Sequence, residues 1–126
     1  MRTPVTGKRD GEWPAAPEPL PVPVLDSHTH IDLQEVPVSD ALEAAAAVGV
    51  TRVVQVGVDV ASSQWGERVV ADWRSANPGV SPAILATVAL HPNEAPMLGA
   101  GLAAALAQIE QLASLDTVHG LGETGL

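Results

Sequence analysis

Residues 26–32 of this chain read Asp-Ser-His-Thr-His-Ile-Asp and directly follow a short apolar run. Side chains two residues apart in a strand point to the same face of a sheet. His28 and His30 can therefore direct both imidazoles at one point, as the binding of a metal ion requires. Asp26 and Asp32 flank the pair and are expected to supply oxygen ligands or the partners that fix the imidazole tautomers. The stretch predicts a metal site at the end of a first strand, although an exposed strand end alone would also explain a lone His-x-His pair.

The composition restricts how a metal could be held. The 126 residues include no cysteine, which excludes disulfides and thiolate ligands. A metal must therefore be bound by histidine and carboxylate side chains, a ligand set suited to magnesium, manganese or zinc in a hydrolytic site. Hydrophobic residues make up 46% of the chain, which is enough for the core of one domain.

The charge balance limits the partners that we expect. Fifteen acidic residues against 6 basic residues give a net charge of −9. We therefore expect no broad basic groove for nucleic acid and interpret most of the acidity as a hydrated surface. No apolar run approaches the ~20 residues of a membrane span, and prolines occupy the place where a signal peptide needs its apolar segment. The expectation is a cytoplasmic protein with no membrane contact.

Residues 1–21 differ in composition from the rest of the chain. Prolines stand at positions 4, 14, 17, 19 and 21, with few apolar residues between them. Proline fixes φ and removes a backbone donor, so such a segment forms little helix or sheet. We predict a disordered extension over residues 1–21 and a folded domain over residues 22–126.

From residue 22 onward, predicted strands alternate with predicted helices. The strands are expected over residues 22–27, 52–58, 83–90 and 117–122. A first helix over residues 41–48 is expected to have Asp40 as its N-cap, with Glu43 in the capping-box position. Ser62 or Ser63 is expected to cap the second helix. Apolar residues at helical spacing mark the inner faces of the second and third helices: Trp65, Val69 and Trp73, then Leu98, Leu102, Leu106, Ile109 and Leu112.

This alternation predicts an α/β fold with a parallel sheet. The predicted strands begin about 31 residues apart, which is the average length of one unit in a (β/α)8 TIM-like barrel of ~250 residues. The chain would supply about the first four strands and three helices of such a barrel. A flavodoxin-like sheet is the structural alternative, but this chain has His-Thr-His where that fold carries a Gly-rich phosphate loop.

Polar residues recur at the carboxyl ends of the predicted strands. His28 and His30 end the first strand, His91 follows the third and Glu123 follows the fourth. In a parallel barrel these ends open on one face, where active sites form. Taken singly, His91 could be a turn residue before a proline, and Glu123 a carboxylate at a helix N-terminus. His119 lies earlier in its strand and is expected to be buried or to face a helix.

Four motifs together resemble the TatD-related DNase family of metal-dependent hydrolases. They are Asp-Ser-His-Thr-His-Ile-Asp (26–32), Val-Gly-Val-Asp (56–59), Leu-His-Pro (90–92) and Gly-Glu-Thr-Gly-Leu (122–126), in the family's order and spacing. The resemblance implies an amidohydrolase-like TIM barrel that uses two divalent metal ions (Mg, Mn or Zn) to hydrolyse phosphodiester bonds in DNA. The expected activity is that of a deoxyribonuclease acting from a 3′ end, so the expected partner is single-stranded DNA or a DNA 3′ end.

The resemblance also assigns roles to individual residues. His28 and His30 correspond to metal ligands from the first strand, and Glu123 corresponds to a carboxylate that bridges two metals. His91 corresponds to a catalytic-site histidine near the substrate phosphate. Ala89 stands where the family usually has glycine, and the family's later histidine ligands and aspartate have no counterpart in these 126 residues.

Three functional interpretations follow. The first is the amino-terminal half of a DNA-hydrolysing enzyme, which as an isolated chain is expected to be inactive because three ligands cannot hold two ions firmly. The second keeps the barrel but replaces the substrate with an ester or amide, such as a D-aminoacyl-tRNA. The third is a non-catalytic half-barrel that binds or assembles. The sequence leaves the oligomeric state open.

Overall fold

Strands and helices alternate along the chain in the computed structural model, which describes residues 14–125. The strands are β1 (Val24–Thr29), β2 (Val50–Val56), β3 (Ala83–Val88) and β4 (Val118–Leu121). The α-helices are α1 (Val38–Ala47), α2 (Val60–Ala76) and α3 (Leu102–Ala113). Two 3-10 segments, Ile31–Leu33 and Ala95–Gly101, follow β1 and precede α3.

The four strands form one parallel sheet in the order β1-β2-β3-β4. Each helix therefore connects two neighbouring strands, which confirms the α/β class and the strand order of the first part of a (β/α)8 barrel. A flavodoxin-like sheet would place its first strand inside the sheet, between the second and the third. The structure has β1 at an edge and so excludes that alternative.

The core lies between the sheet and the helices. Leu42 of α1, Val70 of α2 and Ile84 of β3 are each at most 1% exposed. The predicted stripe of α2, Trp65, Val69 and Trp73, packs against this core. Burial of one such aliphatic side chain stabilises the fold by roughly 1.5–3 kcal/mol. The fold is thus held together by apolar contacts, mostly aliphatic, on the helix-covered face of the sheet.

Two predicted helix starts are wrong. Helix α1 begins after Pro37 with no side-chain cap, so Asp40 lies inside the first turn rather than at the N-cap. Helix α2 is capped by Asp59, whose carboxylate accepts a hydrogen bond from the Ser62 backbone N–H, while the Ser62 hydroxyl accepts one from the Asp59 N–H. Several residues near each helix start can cap it, and the tertiary position of the preceding strand decides between them.

Two further expectations fail in the last third of the chain. Leu98 lies in the 3-10 segment before α3 and Leu106 is 51% exposed, so these two do not belong to the buried side of the helix. Ile109 is buried as predicted, together with Ala105, which was not predicted. His119 is exposed on β4, whereas a buried or helix-facing position was expected. The face of α3 that carries Ala105 and Ile109 is therefore the buried one, and Leu106 lies outside it.

The amino-terminal segment joins the body at the end of the sheet where the strands begin. The prediction of disorder over residues 1–21 falls in part on residues 1–13, which lie outside the described residues. Residues 14–21 contain no assigned helix or strand, and Leu20 donates its backbone N–H to the Val48 carbonyl at 2.9 Å. Between residues 14 and 125, no helix is both long enough and apolar enough to cross a membrane.

Candidate metal centre

Three potential metal ligands meet at the carboxyl end of the sheet. His28 lies in β1, His30 follows that strand, and Glu123 follows β4. Since β1 and β4 are separated by three interstrand spacings of about 4.8 Å, these side chains must reach inward over the ends of β2 and β3. The parallel sheet thus brings together residues from the two ends of the described chain.

The distances between the ligand atoms suit a single metal ion. The Nε2 atoms of His28 and His30 lie 3.2 Å apart, and Glu123 Oε2 lies 3.2 Å and 3.6 Å from them respectively. Ligands at about 2.0–2.1 Å from a tetrahedral zinc ion are about 3.3 Å from one another. Two imidazoles and one carboxylate, with one position left for water or substrate, are also a ligand set used by catalytic zinc. The donor set therefore fits a divalent ion.

A backbone hydrogen bond fixes the tautomer of His30. Its Nδ1 lies 3.1 Å from the carbonyl oxygen of Val56, which can only accept, so Nδ1 carries the proton. The Nε2 lone pair of neutral His30 is then free and points at Glu123 and His28. Asp26 and Asp32 were expected to be ligands or tautomer partners. The structure instead places Asp26 Oδ1 on the backbone N–H of His28, and Asp32 Oδ1 on the side chain of Gln55.

His91 reaches the same centre with the opposite tautomer. Its Nδ1 accepts a hydrogen bond from the Asn93 backbone N–H at 3.0 Å, so Nε2 carries the proton when the ring is neutral. That Nε2 lies 3.4 Å from Glu123 Oε1. In this state His91 is a hydrogen-bond donor toward the centre, whereas His30 presents a lone pair.

The end of β2 anchors the loops that carry these side chains. The carbonyl of Gly57 accepts the N–H of Glu123 at 3.0 Å, and the N–H of Gly57 donates to Thr87 at 2.9 Å. The backbone N–H of His91 donates to the Val58 carbonyl at 2.7 Å. A Cβ on Gly57 would clash with the Ser63 hydroxyl, so this junction requires glycine.

The structure therefore brings all four predicted site residues together, and their metal-binding and catalytic roles stay predictions. Sequence reasoning missed Gln55, which is fully buried beneath the loop that follows His30. Its signal was visible: one amide side chain interrupts the apolar run Val53-Val54-Gln55-Val56. A buried polar side chain in such a run needs hydrogen-bond partners, and this need is the signal that marks Gln55.

Comparison with known proteins gives two matches. The family model described as "TatD related DNase" matches residues 25–126. An "uncharacterized metal-dependent hydrolase TatD" from Mycobacterium tuberculosis (strain ATCC 25618 / H37Rv) is 37% identical over 107 residues, covering 82% of this chain and 36% of that protein. The chain thus spans about a third of the length of this curated relative. No solved structure matches.

Proposed function

The chain belongs to the family of TatD-related DNases, and from this premise we propose that it forms the metal centre of a hydrolase that cleaves DNA phosphodiester bonds. The proposed enzyme is a deoxyribonuclease that removes nucleotides from the 3′ end of single-stranded DNA in the cytoplasm. The observation that carries the proposal is the convergence of His28, His30 and Glu123 within 3.6 Å of one another.

Each residue has a role that its geometry supports. His28 and His30 would hold a Mg, Mn or Zn ion through Nε2, and Glu123 would hold it through a carboxylate oxygen. When bound, the ion supplies Lewis-acid polarisation of a phosphoryl oxygen. His91 would donate its Nε2–H to a nonbridging phosphate oxygen beside the ion, where negative charge increases during hydrolysis.

The access to the centre supports a substrate that approaches from solvent. The side chains of His28 and Glu123 are 52% and 34% exposed, while His30 and His91 are each 24% exposed. A phosphodiester of DNA can therefore reach the ligand atoms at the carboxyl end of the sheet without displacing the core.

The number of ions follows from the number of ligands. Two ions would need Glu123 to bridge them, and further ligands beyond the group of three in the described residues. We propose that residues 14–125 hold one ion and that these residues alone do not turn over DNA.

One observation favours a second candidate, an ester or amide hydrolase of the D-aminoacyl-tRNA deacylase type. In the described part of the chain the basic residues are Arg52, Arg68 and Arg74, in β2 and α2, and none stands in the loops that carry the histidines. A nuclease commonly lines its path with basic side chains that contact phosphates. A centre without them suits a scissile ester or amide bond, which carries no phosphate charge of its own.

The decisive experiment compares substrates on the protein as its gene encodes it. We expect Mn²⁺-dependent shortening of a 5′-labelled single-stranded oligonucleotide from its 3′ end, abolished in a His28→Ala/His30→Ala variant. His119→Ala removes an exposed histidine outside the centre and should leave the activity unchanged. Faster turnover of aminoacyl esters than of DNA would favour the second candidate. If the double alanine variant retained full activity, the metal centre would be misassigned.

A further inference from the structure

Gln55 is a fully buried amide in an apolar strand. It lies in β2 between Val54 and Val56 and is 0% exposed. Its side chain packs against Gly66 of α2: a Cβ added at Gly66 would lie 3.2 Å from Gln55 Cγ. A polar side chain packed so tightly is destabilising unless its amide groups find partners.

Both amide groups of Gln55 are bonded to the loop that follows His30. Its Oε1 accepts the backbone N–H of Ile31 at 2.8 Å, and its Nε2 donates to Asp32 Oδ1 at 2.8 Å. The next residue of β2, Val56, accepts the Nδ1–H of His30 through its carbonyl. Two successive residues of β2 thus hold the imidazole of His30 and the backbone directly after it.

The chemistry of these two contacts requires an amide. The partners are a backbone donor and a carboxylate acceptor, so the side chain between them must accept at one atom and donate at the other. Leucine offers neither, and glutamate would place a second carboxylate against Asp32. A buried N–H or carboxylate without its partner would be costly, so the loop would shift to reach water.

We propose that Gln55 is a positioning residue of the metal centre: its carboxamide ties Ile31 and Asp32 to β2 and thereby sets the direction in which His30 presents Nε2. Asp32 is then a structural partner of Gln55 and no metal ligand. The proposal rests on the metal centre proposed above, but not on the identity of the substrate. Groups that orient a metal-binding histidine typically change metal affinity by 10–100-fold when they are removed.

The test measures Co²⁺ binding to the 126-residue chain through its visible absorption. We expect Gln55→Leu to weaken Co²⁺ binding by at least tenfold and to alter the shape of the spectrum at saturation, because His30 would no longer be held in one direction. Gln64→Leu is the matched control, since the half-buried Gln64 side chain makes its one hydrogen bond within the described residues to Gln108, at 3.4 Å. A purely structural role for Gln55 would lower the melting temperature but leave the saturated spectrum unchanged, and that result would overturn the proposal.

A second pair of variants decides the question if Gln55→Leu does not fold. Asp32 is only partly buried, so Asp32→Ala and Asp32→Asn leave the core intact. Asparagine retains an acceptor oxygen for Gln55 and should bind Co²⁺ within about threefold of the wild type, while alanine should bind about tenfold more weakly. Equal binding by all three proteins would overturn the positioning role, and equal loss in both variants would make Asp32 a ligand. Absence of Co²⁺ binding by the wild type would instead remove the proposed metal centre itself.

Discussion

The two ends of the sheet differ in what they offer a ligand. At the carboxyl end, His28, His30, His91 and Glu123 converge with Nε2 and Oε atoms 3.2–3.6 Å apart. At the amino end lies a cavity of about 450 Å³, between the start of β2 and the loop before β3. None of the four convergent residues lines this cavity. We therefore place the proposed site where matched donor groups meet, and the presence of a cavity does not decide it.

The two ends also differ in how their charged or ligating residues are held. At the carboxyl end, hydrogen bonds of 2.7–3.1 Å fix the His30 ring and the backbones of His91 and Glu123. At the amino end, Trp73 Nε1 donates to the Pro82 carbonyl at 3.0 Å, but the charged Arg74 makes a hydrogen bond of 3.4 Å to the Ile84 carbonyl, and Arg52 is exposed. Preorganised groups stabilise a developing charge without reorganising, and this supports the carboxyl end as the proposed site.

The variant Ile84→Ala has the largest expected effect on stability, and it tests whether the two ends of the sheet are independent. Ile84 is 1% exposed and contributes both to the core and to the wall of the amino-end cavity. Ile84→Ala should lower the free energy of unfolding by about 2–5 kcal/mol through lost burial and an enlarged cavity. Urea denaturation followed by circular dichroism measures this change. In native buffer the folded variant should still bind Co²⁺ normally, and a parallel loss of affinity would show that the ends are coupled.

The second prediction separates the donor from the ligands within the carboxyl end. His91→Ala removes one Nε2–H aimed at the site and should lower kcat of the encoded enzyme by about 10²–10³-fold. Co²⁺ affinity should change little, because His91 presents a protonated nitrogen rather than a lone pair. Steady-state kinetics and metal titration on the same sample make the comparison. Loss of metal binding would make His91 a ligand.

The third prediction concerns the junction at Gly57. Gly57→Ala forces a methyl group against the Ser63 hydroxyl and should cost about 1–3 kcal/mol of stability. Since the Gly57 carbonyl holds the N–H of Glu123, Co²⁺ affinity should fall as well. Gly101→Ala is the control, because Gly101 has open space around it and φ of −78°. Thermal melting and Co²⁺ titration compare the two variants. If Gly57→Ala changed neither the melting temperature nor the Co²⁺ affinity, the junction at Gly57 would not be crowded.

A smaller effect is expected at the start of α2. Asp59→Ala removes the side-chain cap of the Ser62 N–H and should cost about 1 kcal/mol. Asp59→Asn keeps an acceptor oxygen and should restore most of that stability. Equilibrium unfolding of the three proteins measures the differences. If both variants lost the same amount of stability, the negative charge of Asp59, rather than its hydrogen bond to the Ser62 N–H, would stabilise the start of α2.

The smallest effect is expected at the amino end. Arg52→Gln removes an exposed charge that forms no ion pair within the described residues, so stability should change by less than about 0.5 kcal/mol. Co²⁺ affinity should be unaltered, in contrast to the effect of Gly57→Ala. A measurable loss of metal affinity would show that the amino end contributes to the site.

Local patterns were sufficient to predict the alternation of strands and helices and the edge of the sheet at which the four polar residues meet. Buried parallel strands read as short apolar runs, and their carboxyl ends meet on one face whatever the details of the helices. The proximity of His28 and Glu123 follows from that rule alone. The fold class could thus be predicted before any distance was known.

Features that depend on tertiary packing could not be predicted in this way. The choice of Asp59 over Ser62 as a cap depends on the position in which β2 leaves the chain, and the exposure of Leu106 depends on which face α3 turns toward the rest of the protein. The partners of Gln55 lie more than twenty residues away in sequence. Sequence showed that Gln55 was unusual, and only the fold showed what it holds.

The proposed metal ligands come from β1 and from the chain directly after β1 and β4, which are three strand positions apart in the sheet. This separation has a thermodynamic consequence. In an unfolded chain, bringing His28 to Glu123 costs loop-closure entropy, which folding of the sheet has already compensated. An ion held by both residues would bind the folded chain far better than the unfolded chain. At a free ion concentration 100 times the Kd, the free energy of unfolding rises by about 2.7 kcal/mol. The centre would thus act as a reversible cross-link between the ends of β1 and β4, in 126 residues that include no cysteine to form a covalent one.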